Sequence, residues 1–196
     1  MEPLNGRADG CCVSDPSVEP PLEAEVQRAL AEELESYGWR VIREVSFTPS
    51  RAHTSGNADD ARNRRVDHYC VARQDIGGGP WAIRKGLVIA IECKRQSRFK
   101  AARNADLQVA SVLSGHDFHI DKTPLARPQL CLYATPETLT AGTATRLCSN
   151  HFLAFLDRQM WSTGGAVLWR DDRGRLYFRQ HIARQDRTRY LSPPRA

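Results

Sequence analysis

Glu92 and Lys94 stand two residues apart where an apolar run, Gly86-Leu87-Val88-Ile89-Ala90-Ile91, turns polar. Such a run of branched residues reads as a strand, about residues 86–95. Side chains alternate along a strand, so Glu92 and Lys94 share one face while Leu87, Ile89, Ile91 and Cys93 share the other. A carboxylate and an ammonium at the mouth of a buried strand are costly unless they pair, meet a metal or meet a phosphate. A second acid, Asp67, lies in a strand-like run of its own, Arg65 to Ala72. There Asp67, Tyr69 and Val71 face one way, and Val66, His68 and Cys70 the other. The turn Gly77-Gly78-Gly79-Pro80 joins the two runs as a hairpin and brings Asp67 and Glu92 onto adjacent strands.

The remaining elements must hold that pair. Residues 1–17 are polar and aperiodic and read as a flexible arm. Pro20-Pro21 opens a helix whose apolar stripe is Leu22, Val26, Ala29, Leu30, Leu34 and Tyr37, and Gly38 ends it. Glu23 falls toward that stripe; Glu32, Glu33 and Glu35 are expected in solvent. Trp39 to Phe47 alternates as a first strand, with Trp39, Val41, Val45 and Phe47 as its apolar members. A long connection, Thr48 to Arg64, follows, and Arg62, Arg64 and Arg65 lie where they can touch phosphates. A helix over about 100–114, with Leu107, Ala110, Val112 and Leu113 apolar, carries Gln108 in its middle and stops at Gly115. His116 to Asp121 reads as loop. Gln129 to Tyr133 is a fourth strand, 143–160 a C-terminal helix, and Val167-Leu168-Trp169 with Leu176-Tyr177-Phe178 a closing hairpin. One domain is expected over 18–185, with an irregular tail at 186–196.

Glu23 on the first helix, Asp67 on the second strand, Glu92-Cys93-Lys94 on the third and Gln108 on the next helix together resemble the PD-(D/E)XK nuclease superfamily. The likeness covers about residues 20–135 and rests on the whole set, because Glu-x-Lys alone is common by chance. Arg65-Val66 stands where the family often has a proline before its first acid. The resemblance implies an α/β restriction-endonuclease-like core, a central mixed sheet flanked by helices. It also implies magnesium, with manganese able to substitute, held by Asp67 and Glu92, by the Cys93 carbonyl, and by Glu23 for a second ion or its waters. Magnesium takes oxygen ligands and keeps several waters, so two carboxylates suffice. Lys94 would orient the attacking water, and Gln108 would support the site or the DNA. The reaction implied is hydrolysis of DNA phosphodiester bonds, in repair, recombination, restriction or phage DNA processing. The alternatives are a catalytically inactive nucleic-acid-binding or protein-interaction module on the same fold, and an RNA-directed nuclease.

Charge agrees with a polyanionic partner. The chain carries a net +5, yet residues 1–37 hold nine acids against two bases, which leaves +12 on the rest. Five bases and no acid occupy Lys94 to Arg103 (Lys94, Arg95, Arg98, Lys100 and Arg103), and eight bases oppose three acids from Arg170 onward. Such patches fit DNA or RNA ahead of an acidic membrane surface. Among 24 arginines the chain has only four lysines, and one of them is Lys94. A compact ammonium fits beside a water or phosphate oxygen where a guanidinium fork does not. The six cysteines lack zinc spacing and disulfide density, so Cys70, Cys93 and Cys131 are expected as buried thiols in a reducing compartment. No apolar run is long enough for a membrane span, and a cytoplasmic protein is expected, as a homo-oligomer or within a larger DNA-processing complex.

Overall fold

The computed structural model describes residues 23–50, 64–78, 82–94, 99–135, 163–182 and 185–193, with side chains for all of these except 99–106 and 181–186. The elements run α1 (Glu23–Ser36), β1 (Trp39–Thr48), β2 (Arg64–Ala72), β3 (Val88–Cys93), α2 (Phe99–Ser114), β4 (His116–Ile120), β5 (Thr123–Pro124), β6 (Leu130–Ala134), β7 (Ala166–Arg170), β8 (Leu176–Ile182) and β9 (Gln185–Tyr190). The chain is an α/β protein: among the described residues, two helices lie on a nine-stranded mixed sheet of order β5-β4-β1-β2-β3-β6-β7-β8-β9. The pairs β3–β6 and β6–β7 are parallel and the others antiparallel.

Each helix covers one face. In α1 the four-residue spacing of Val26, Leu30 and Leu34 makes a buried stripe, packed with Ile89, Ile91, Leu132 and Leu168. Glu23 and Glu25 complement the positive end of the helix dipole. Gly38 closes α1 at φ 91°, a conformation that glycine takes without a Cβ clash. On the opposite face Val109 and Val112 of α2 pack with Val88, Ala90, Cys131 and Tyr133. Gly165 lets the start of β7 run against Val109, where a Cβ would collide. All six residues of β3 are buried, which explains its near-continuous apolar run.

Several expectations are corrected. Trp39, Val41, Val45 and Phe47 do not share a face: Trp39 and Val41 pack on the α1 side, Val45 and Phe47 on the α2 side. The exchange occurs across Glu44, whose φ is 56°. Val66 likewise joins Tyr69 on the α2 side, apart from Cys70. His116 to Asp121 is an edge hairpin rather than a loop. Asp121 and Lys122, both at positive φ, make its two-residue turn, and Phe118 is buried against Phe47, ring centroids 5.2 Å apart. Residues 186–190 belong to β9 rather than to an irregular tail, and Leu191 beyond it is buried. The Trp39 indole N–H donates to the Leu191 carbonyl at 2.9 Å. Leu107 is exposed. Glu33, expected in solvent, forms a two-pronged ion pair with Arg170 at 2.6 and 2.8 Å. The expected helix at 143–160 lies outside the described residues. Cys70, Cys93 and Cys131 are buried free thiols. No helix among the described residues is long and apolar enough to cross a membrane.

Candidate active site

The antiparallel ladder between β2 and β3 has its last pair at His68↔Ile91. One residue further, the Asp67 side chain takes over: its Oδ2 accepts the Cys93 backbone N–H at 2.7 Å. The carboxylate thus occupies the gap where the strands part. On the other side Lys94 N–H donates to the Ala134 carbonyl at 3.0 Å, which fixes the end of β3 to β6. Lys94 Nζ then reaches 3.8 Å to Glu92 Oε2 and 3.7 Å to Glu23 Oε1. The amine therefore bridges an acid on the strand and an acid on α1, at the C-terminal edge of the sheet.

Electrostatics make the acids unusual. Glu92 is 4% exposed. Burial, then the neighbouring Asp67 charge, push its pKa up to about 8 against the pull of Lys94. Asp67 is raised as well, by burial foremost, although the Cys93 N–H and Lys94 oppose this. Burial disfavours the Lys94 ammonium, but Glu92, Asp67 and Glu23 outweigh it and raise the pKa. The result is a cluster in which the buried carboxyls hold their protons more firmly than usual while the amine beside them is kept charged. Behind the strand, His68 Nδ1 lies 3.5 Å from the Cys93 thiol. Burial lowers the His68 pKa to about 4, so the ring is neutral, and it is fully buried.

Glu92 also opens onto a cleft of about 340 Å³ on the α2 face, lined by Phe47, Arg64, Arg65, Gln108, Ser111 and Val112. Gln108 Oε1 is buried there with no hydrogen-bond partner. Arg64 donates weakly to the Ser111 hydroxyl at 3.4 Å, and Arg65 lies 3.5 Å from Glu44. Asp67, Glu92, Lys94 and Glu23 therefore meet at one edge, and Glu92, Gln108, Arg64 and Arg65 share one cleft. Arg62, Arg95 and Arg98 lie outside the described residues; Lys100 and Arg103 lie on α2, with side chains not described.

Sequence reasoning missed Glu44, whose charge raises both Asp67 and Glu92. By alternation Glu44 falls with Arg40 and Ser46 among the polar positions of its strand, so its residue type gave no signal; its positive φ is a conformation that costs a non-glycine residue about 1–3 kcal/mol. Ser111 and Phe47 were also missed as cleft residues. Among the described residues no three of His, Cys, Asp and Glu converge as a ready-made metal cage. That includes His116 and His119, which engage Asp117 instead. Two carboxylates with an adjacent backbone carbonyl still fit magnesium, which draws its remaining ligands from water and phosphate. No protein-family model, curated protein or solved structure matches the chain.

Proposed function

We propose that the chain is a magnesium-dependent nuclease that hydrolyses DNA phosphodiester bonds, on a core of the PD-(D/E)XK, restriction-endonuclease-like kind. The observation that carries this reading is the convergence of a buried Glu92 with Asp67 and Lys94 at the end of β3, beside a cleft edged with arginine. The succession α1-β1-β2-β3-α2 and the return of β6 parallel to β3 support the fold assignment.

Asp67 and Glu92 would hold magnesium or manganese, with the Cys93 carbonyl as a third donor; when bound, the ion supplies Lewis-acid polarisation of the scissile phosphate. Lys94 donates hydrogen bonds to a water on its attack line and offsets charge building on the phosphate. The water oxygen forms the new P–O bond as the bond to the leaving oxygen breaks, giving a phosphate monoester and a hydroxyl. Glu23 orients the Lys94 amine from the α1 side. Arg64, Arg65 and Gln108 seat the strand in the cleft.

The test is cleavage of DNA by the purified chain with magnesium or with chelator. Asp67→Ala, Glu92→Ala and Lys94→Ala should each lower the rate by ~100-fold or more, the scale for removing a group that acts in the transition state. Cleavage that persists in all three variants overturns the site. A parallel digestion of matched RNA separates the RNA-directed reading.

A further inference from the structure

The β7–β9 end of the sheet carries aromatic and cationic side chains that the proposed chemistry does not use. Trp169 pairs across strands with Tyr177, and Tyr177 with Tyr190. Their rings lie 6.4 Å and 5.6 Å apart between centroids. Arg175 sits 4.1 Å above the Tyr190 ring, and Arg179 sits 5.4 Å from Trp169 and 5.8 Å from Tyr177. The Arg175 charge is engaged by Asp171 at 2.8 Å. Arg179 is exposed and, among the described residues, pairs with no carboxylate. Its guanidinium is held over two rings and hydrogen-bonds the Tyr177 side chain, which leaves its remaining N–H groups for another acceptor.

This strip shares a sheet face and an end with the candidate site. Glu92 is in register with Tyr133, and Tyr133 with Val167. Trp169, two residues along β7, keeps that face, and Val167, Trp169 and Tyr177 all border the cluster beneath α2. Because β3, β6 and β7 are parallel, Trp169 lies at the same C-terminal edge as Glu92. With strands about 4.8 Å apart, β8 is roughly 15 Å from β3, a distance that a few nucleotides of extended strand can span.

We propose that the Tyr177–Tyr190 strip with Arg179 is a platform for single-stranded DNA leading away from the cleft, with bases stacking on the rings and Arg179 meeting the backbone. It rests on the nuclease reading and adds to it a preference for substrates with a single-stranded segment. Aromatic rings accept any base, and a basic edge tracks phosphates; a duplex, whose bases are already stacked, has no such use for the rings.

The test is fluorescence anisotropy of a labelled oligothymidylate and of a matched duplex, with the full chain in chelator so that binding is read without cleavage. Arg179→Glu, an exposed change expected to preserve folding, should weaken strand binding by roughly tenfold, because it replaces a backbone-contacting cation with an anion beside the stacked bases, and duplex binding by less than about threefold. Arg179→Lys should restore only part, and Tyr177→Leu should add to the loss. On cleavable substrates, Arg179→Glu should raise KM for a duplex with an overhang and leave kcat unchanged.

Unchanged strand binding in Arg179→Glu overturns the platform, and so does an equal loss on strand and duplex. A change of oligomeric state in place of strand binding, read by sedimentation, also overturns it and makes the face an interface between copies. Strand binding that is lost in the variant while the wild-type chain cleaves nothing keeps the platform and removes the nuclease reading. Cleavage that fails in Glu92→Ala alongside strand binding indifferent to Arg179 does the reverse.

Discussion

Glu92 holds its proton far more firmly in the folded chain than in an unfolded one, because burial and the Asp67 charge both penalise its carboxylate. A carboxyl raised in this way contributes stability that is full below its ordinary value near pH 4.5 and is lost as pH climbs toward about 8. Asp67 shifts in the same direction and adds to the effect. In chelator, the melting temperature is therefore expected to fall between about pH 5 and pH 8. Magnesium should restore it at the upper end and do little at the lower, since the ion displaces a proton that is tightly held there. Glu92→Gln keeps the shape and removes the charge. Its expected signature is a flatter pH profile and a gain of about 1–3 kcal/mol at pH 8 without metal, together with loss of cleavage. Denaturant titration of both proteins across that range decides it, and a wild-type slope retained in Glu92→Gln assigns the pH dependence to other groups.

At the scale of elements, α1 is held to β7 by one clamp. Arg170 meets both Glu33 oxygens, and the Tyr37 hydroxyl donates to the same carboxylate at 2.7 Å. The two charged side chains are 12% and 20% exposed, so removing one strands the other in a poorly hydrated place. Arg170→Ala should cost about 2 kcal/mol, below the figure for a fully buried pair because some solvent remains. Pairing it with Glu33→Gln should recover part of the loss, measurable as a coupling in a double-mutant cycle. Nothing local announces this clamp: its partners are 137 residues apart, and Glu33 read by helical period belongs in solvent. The same limit explains the other gaps. Val26, Leu30 and Leu34, and the apolar run of β3, are periodic signals within one element and were legible. Asp67, Glu92 and Lys94 were legible because an acid or amine at the end of such a run breaks a pattern. The exchange of faces at Glu44 depends on one backbone angle, and the β4–β5 hairpin on an Asp-Lys turn without glycine. Neither leaves a mark in side-chain pattern. β9 was missed because Gln185 to Tyr190 is polar at nearly every position, and pairing with β8, rather than propensity, makes it a strand.

Across the whole molecule, charge is divided between the two sides of the sheet. α1 carries five glutamates and one arginine on one side, whereas Arg64, Arg65 and Arg179 belong to the α2 side with the cleft and the aromatic strip. On the proposed function, a polyanion would meet the second side. The screening length at physiological salt is about 8 Å, less than the thickness of a helix layer on a sheet, so the α1 acids hardly reach a strand bound opposite them. Each arginine that touches a phosphate releases a counterion, worth about 0.7 in the slope of log affinity against log salt for a single strand and about 0.9 for a duplex. Arg64→Gln should therefore lower that slope by nearly one unit and weaken binding several-fold at low salt. Arg65→Gln should do less, because Arg65 must first leave Glu44. Glu32→Gln with Glu35→Gln, on the outer face of α1, should change neither slope nor affinity beyond about twofold. A salt titration of all four proteins tests the division, and an effect of the α1 pair as large as that of Arg64 would move the nucleic-acid face to the other side of the sheet.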